Sequence, residues 1–504
     1  MFKNPFYRQA VKMAFWIVVA IALTRVTMGA FAVVIALTCI WSALTYRRGL
    51  ALSCFVLLPF MIIMNPLILP GSAMLAISAR FGVVLASGAL LVASQRFGGK
   101  QQLPVGALLG YLACAVLSST LGYHPMISYF KIVNFLFFLA CLYFGTRNLH
   151  HNPKDVAFVR TFFFALAIIV VVGSLVTIAV PSVGYYVSIK NMIADMGAEA
   201  AAARMKEMQG VSLFCGVTNQ SQVLAPMLAC IGGLVVCDMI CVERRAGSLH
   251  VLLLGIIPVL LFMTRSRVGF LAFVVMVFMV FFYCLNKVRV PFQLKGKMKQ
   301  YVLFGVLVVV VAGGVMQFRN QGLSRLLRKT EDVSGDHRKL SDAFMGSRQG
   351  LINESMRDFA RNPVLGQGFQ VAKYMWVLEG RAKKSGFVLS APIEKGFMPT
   401  MILGEGGLVG AIAFLFFLFC FWYGCQKKGY VATWTLFVVF LTTNFAEATF
   451  FSPGGMGGIL WLVTVVGGFI IDLAAQGKVN LQQFFAMPPP EMDQPEPRIG
   501  YGLS

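Results

Sequence analysis

Of 504 residues, 58% are hydrophobic and only 12% are charged, against about 25% charged in ordinary soluble domains, which excludes a water-soluble globular enzyme. The formal net charge of +23 does not point to nucleic acid, because most lysines and arginines sit in short loops between apolar runs, where they set membrane topology. The long runs, such as 162–180 and 301–316, do not alternate apolar with polar residues, which excludes a transmembrane β-barrel.

Roughly 20 apolar residues cross a bilayer. In chain order the pattern predicts helices near 9–24, 28–45, 50–69, 73–94, 103–120, 127–146, 160–181, 212–240, 249–264, 268–286, 301–317, 398–424, 429–447 and 456–474. The fold class is therefore all-α, a polytopic helical membrane protein of about 12–14 transmembrane helices. The first two runs are short, and one element kinked near Arg25 is the alternative. No small-residue cleavage site follows the first run, so it reads as an anchor and not as a signal peptide. The 11 cysteines lie in or beside apolar runs without metal-ligand spacing and read as small core residues.

Alternate loops are basic: 46–48, 95–100, 146–154, 242–245, 286–299 and 426–428. By the positive-inside rule they and both termini face the cytoplasm. The chain then divides into N-terminal helices (1–181), central helices with an outer loop at 182–211 (182–317), a large periplasmic loop (318–397), C-terminal helices (398–475) and a Pro-rich cytoplasmic tail (476–504). The segment 318–397 holds fourteen Lys/Arg against eight Asp/Glu.

Candidate chemistry gathers on the non-cytoplasmic side. In "TRSR" Arg265 and Arg267 stand in a short outer hairpin, against the usual charge bias. They are snorkelling anchors, or they form an anion site, since guanidinium matches phosphate geometry. In "GSRQGLINESMRDFARNPVLGQGFQ" (346–370), helical arithmetic puts Arg348 within about 80° of Ile352, Ser355, Met356 and Phe359, with Glu354, Arg357, Asp358 and Arg361 on the opposite face. An arginine on an apolar stripe needs an anionic partner, either a buried salt bridge or a ligand. Glu394 and Lys395 directly precede the 398–424 run, and Glu405 lies about two turns inside it among Gly404, Gly406, Gly407 and Gly410. Glu405 is a packing-interface carboxyl or a functional one. Weaker candidates are Asn219 and Gln220 within the apolar 212–240 run, and Arg80 and Lys131 near outer span ends, where snorkelling explains either.

The ordered set "TRSRVGFLAF", "SRQGLINESMRDFARNPVLGQGF" and "GEGGLVG", over roughly 210–460, resembles the O-antigen ligase and O-antigen polymerase superfamily of integral-membrane glycosyltransferases. The resemblance implies a GT-C-type fold in the bacterial inner membrane, with its active site facing the periplasm. It implies a polyprenyl-pyrophosphate-linked glycan as donor, a hydroxyl acceptor, no cofactor and no required metal. The partners implied are that glycan lipid, the bilayer and other polysaccharide-assembly proteins. The family's arginines map onto Arg265 or Arg267 and onto Arg348 as pyrophosphate-binding groups. Read from its own position at the same lip, Glu394 is placed to act as general base, and Lys395 is its salt-bridge partner or a further phosphate contact. Ligases of this superfamily carry a His-Asn pair near the position where this chain has "EKGF" (394–397). That departure favours an O-antigen or exopolysaccharide polymerase over a ligase. A transporter of lipid-linked glycan, or a non-catalytic scaffold, are the rival readings.

Overall fold

The computed structural model describes residues 4–95, 103–185, 213–243, 247–285, 340–371, 396–445 and 448–477, with backbone alone at 281–285 and 340–349. Among the described residues every regular element is a helix, and the isolated bridge from Met64 to Thr218 joins two loops. The protein is an all-α, multi-pass membrane protein. Among the described residues seven helices are long and apolar enough to cross a bilayer and six shorter ones are apolar. Together they occupy thirteen of the expected spans; the expected span 301–317 lies outside the described residues.

The helices are α1 (Pro5–Val26), α2 (Ala30–Leu44), α3 (Arg48–Ile62), α4 (Ala73–Gln95), α5 (Leu108–Thr120), α6 (Pro125–Thr146), α7 (Pro153–Ile178), α8 (Ser221–Asp238), α9 (Ser248–Thr264) and α10 (Arg267–Leu285). After them come α11 (Leu340–Arg361), α12 (Met398–Lys428), α13 (Val431–Thr443) and α14 (Met456–Ala475). The first two runs are separate helices and not one kinked element. Met28 and Gly29 take left-handed backbone (φ 50° and 94°), which the α-helix cannot accommodate. Gly29 is required there, because a side chain would collide with Ser72. Arg25 donates to the carbonyls of Leu67 (2.9 Å) and Ile68 (3.1 Å), tying this turn to the loop before α4.

Helices α8 and α14 are buried almost throughout and form the centre of the bundle. Small residues set the closest approaches: Gly269 of α10 lies against Ala225 of α8, and Gly468 of α14 against Thr433 of α13. A π-turn at Leu462–Val466 interrupts α14 within the core.

The described basic loops, 46–48, 146–154 and 426–428, lie at one end of the bundle. Arg48 donates to the Arg147 carbonyl, Gly49 touches Asp155, and Gln476 donates to the Lys428 carbonyl (2.9 Å). At the opposite end α2, α4, α6, α8, α10, α12 and α14 begin. There Arg80 borders Gly454, and the amide of Met398 donates to Asn444 (3.1 Å).

Candidate functional site

The hairpin arginines stand at this second end. Helix α9 stops because Arg265 adopts left-handed backbone (φ 50°), with its N–H on the Phe262 carbonyl (3.2 Å). For a non-glycine residue that conformation costs about 1–2 kcal/mol, and such strain is a pointer to function. Ser266 then caps α10, its hydroxyl accepting from the Gly269 amide (3.4 Å). Arg265 is exposed and Arg267, the first residue of α10, is half-buried. Since α8 and α10 run parallel and touch at Ala225 and Gly269, Arg267 is level with the first turn of α8. Two helix N-termini, each bearing about half a positive charge, thus lie beside two arginines. That arrangement favours an anion.

The polar residues before α8 do not sit inside a helix, as their position in an apolar run suggested. Residues 213–220 are non-helical, and the helix begins at Ser221. Backbone bonds hold this segment to the α3–α4 loop: Asn219 N to the Ile63 carbonyl (2.9 Å) and Asn65 N to the Val217 carbonyl (2.8 Å). The Asn65 side chain adds a bond to the Val183 carbonyl (2.7 Å). Asn219 is half-buried, its Oδ1 without a hydrogen-bond partner among the described residues, whereas Gln220 is exposed. Arg80 lies about two turns into α4, against Gly454.

The glycine-rich motifs of the two loops form a clasp. Gly407 interrupts α12 with φ 59° and ψ −158°. A broken helix inside a membrane leaves polar groups that must be satisfied. Residues 363–368 satisfy them: Leu408 N donates to the Pro363 carbonyl (2.8 Å) and Val409 N to Val364 (3.1 Å). In return Gln367 N donates to the Gly404 carbonyl (2.9 Å) and Gly368 N to Glu405 (3.1 Å). Side chains at Gly366 or Gly407 would overlap the backbone opposite. Helix α5 closes the arrangement, with Ser118 donating to the Glu405 carbonyl and Ser119 accepting from the Phe369 amide (3.2 Å). Glu405, 1% exposed, sits at the centre of the clasp. Lys131, 6% exposed, donates to the Gln370 carbonyl at 2.7 Å, so its ammonium staples this loop to α6 and does not reach for the membrane surface.

Helix α11 packs on α12, with the Ser355 backbone against Gly404. Two assignments along α11 change. Met356, expected on the inner stripe, is exposed, and Asp358, grouped with the solvated face although at 100° per residue it stands about 80° from Arg348, just as Met356 does on the other side, is 2% exposed. The face of α11 that turns inward is centred on Ser355 and Asp358, because the α5–α6 corner offers a polar partner, Tyr123, to the carboxylate. Arg348, seven residues before Ser355, shares its helical register; its side chain lies outside the description. Glu394 and Lys395 also lie outside the described residues, just before Gly396 and the start of α12. Helix α10 packs along α13, whose end carries Asn444, the partner of Met398. The hairpin and the start of α12 are therefore neighbours through α13.

A second cluster, at the basic end, was not singled out in the sequence. Arg160 of α7 grips Asp238 of α8 through two bonds (2.7 and 2.8 Å) and reaches Glu243 (2.6 Å). His250 of α9 adds Nε2 to Asp238 (3.1 Å) and shares Nδ1 with the Tyr7 hydroxyl of α1 (2.9 Å). The Arg160 guanidinium stacks on Phe6, 3.9 Å from the ring centre. The four helices supply a mutually satisfied network, as a buried ion pair requires, and its role is structural. No spacing rule joins residues so far apart in sequence, though an Arg and an Asp inside apolar runs were a visible signal.

A family model described as O-Antigen ligase matches residues 251–388. The matched stretch contains the hairpin arginines, helix α11 with Arg348, and the loop that enters the α12 break. Over these residues the chain is similar to that family. No curated protein matches the chain significantly.

Proposed function

We propose that this membrane protein of the O-antigen ligase-like superfamily transfers a glycan from a polyprenyl-pyrophosphate carrier to a hydroxyl acceptor. The observation that carries the reading is the Arg265–Arg267 hairpin, set beside the N-termini of α8 and α10 at the end opposite the basic loops. By the charge rule for short loops that end faces the periplasm, both termini are cytoplasmic, and the membrane is the bacterial inner one. Segment 318–397 is then the large periplasmic loop between the central and C-terminal helices, within a GT-C-type architecture.

In the reaction, the acceptor oxygen bonds to the anomeric carbon of the donor sugar as the bond to the pyrophosphate oxygen breaks. Arg265, Arg267 and Arg348, with Lys395, stabilise the charge gathering on the departing diphosphate, the kind of electrostatic term that dominates such sites. Glu394 accepts the proton of the acceptor hydroxyl, a step worth typically about a hundred- to ten-thousand-fold. Single displacement inverts the anomeric configuration. The chemistry needs no nucleotide sugar and no metal.

The Glu394–Lys395 pair, standing where a ligase of the superfamily has His-Asn, favours polymerisation of O-antigen or exopolysaccharide repeat units. The description of the matched family, O-Antigen ligase, favours ligation, for which a lipid A core would be the acceptor. Purified protein given lipid-linked repeat units, with and without core lipid, separates the two: a ladder from repeat units alone marks a polymerase. Arg348→Ala and Glu394→Gln are each expected to lower turnover at least about a hundredfold. Near-normal turnover in both removes these roles, and movement of glycan lipid across vesicles without product would make the protein a transporter.

A further inference from the structure

Resting on that reading, the geometry points to Tyr123 as a positioning residue for the phosphate-binding helix α11. We propose that its hydroxyl fixes the pivot about which α11 would otherwise swing, and so holds Arg348 at the diphosphate.

The corner between α5 and α6 receives the C-terminal end of α11 and the loop that follows it. Its backbone and small side chains take the loop: Tyr123 N donates to the Gln367 carbonyl (3.1 Å), Ser118 Oγ accepts from Gly368 N (3.1 Å), and Gly122 lies flush on Gln367 and Gly368. These bonds secure the chain after α11. Besides its packing on α12 at Ser355 and Gly404, the helix is held by a triangle of side chains. The Tyr123 hydroxyl donates to Asp358 Oδ1 (3.0 Å) and accepts from Arg361 Nη1 (2.7 Å), and the same nitrogen lies 3.3 Å from that carboxylate oxygen. Asp358 is buried while Arg361 is about half exposed. Burial, ahead of every other influence, raises the Tyr123 phenol above its ordinary range, so it remains a donor at physiological pH.

The lever is long. Ten residues separate Asp358 from Arg348, about 15 Å along an α-helix. A tilt of about 10° at the pivot therefore displaces Arg348 by about 2.5 Å. That exceeds the tolerance of a guanidinium–oxygen hydrogen bond, and misplacements of about 1 Å already cost up to about a hundredfold in rate. Tyr123 touches neither donor nor acceptor in this scheme. Its effect passes through the helix.

The test is Tyr123→Phe, which keeps the ring and removes the hydroxyl, read in two ways. Amide hydrogen exchange across 340–361 is expected to quicken about tenfold, while exchange in α8 and α14 stays as in the wild type. In glycan transfer, kcat is expected to fall at least about tenfold with KM for the lipid-linked donor within about twofold, since Arg348 acts on charge that develops in the transition state. Asp358→Asn, which keeps an acceptor for the phenol, is expected to retain most of both readouts. Unchanged exchange across α11 in Tyr123→Phe would overturn the pivot, as would slowed transfer with an equal rise in KM. If the wild-type chain transfers no glycan, the proposed function fails, and the exchange measurement alone then judges the pivot.

Discussion

The clasp makes a sharp demand on adjacent glycines. Gly407 occupies backbone (φ 59°, ψ −158°) that is essentially closed to other residues. A methyl group there would overlap the Val364 carbonyl. Gly407→Ala therefore meets strain of about 1–3 kcal/mol. Relieving it means pushing residues 363–368 out of the break, which loses the bonds from Leu408 and Val409, each worth about 0.5–1.5 kcal/mol net. The closed clasp is therefore destabilised by about 1–3 kcal/mol and should lose about fivefold to about a hundredfold in population. Hydrogen exchange at Leu408 and Val409 in detergent reads that change directly. Gly406→Ala is the control, because a Cβ at Gly406 meets nothing within 4 Å and its φ is not left-handed. Alanine is the better helix former by about 1 kcal/mol, so that variant should keep wild-type protection. Equal protection in the two variants, whether high or low, would refute the claim that the loop fills the helix break.

Two further predictions concern buried carboxylates at the other end. Asp238→Ala strands the buried Arg160 guanidinium and should cost about 3–5 kcal/mol; thermal unfolding in micelles should show it, with Arg160→Met/Asp238→Leu recovering part of the loss. Asp472 accepts from the amides of Ala432 and Thr433 (both 2.9 Å) and from the Thr433 hydroxyl (2.7 Å), acting as an N-cap for α13 supplied by α14. Asp472→Ala should lower stability by about 1–2 kcal/mol, with Thr433→Val costing less because the amide bonds remain.

Apolar run length and loop charge made the helices legible from the sequence alone. A bilayer-spanning segment must satisfy its backbone internally, so its length and apolarity are local properties, and the positions of α1 to α10 and α12 to α14 could be read directly. The glycines of "NPVLGQG" were also visible as a helix end, those of "GEGG" only as a small packing surface and not as a break, and some acids and bases inside apolar runs as exceptions needing partners. What those residues meet was not local. The pattern could not say that residues 363–368 enter the break at Gly407, that Lys131 spends its charge on the Gln370 carbonyl, or that Asp358 turns inward toward Tyr123. Nor could it join Tyr7, Arg160, Asp238 and His250 from four helices. In an apolar environment a polar group accepts whichever partner the packing brings within about 3 Å, and that choice is made only when distant helices come together.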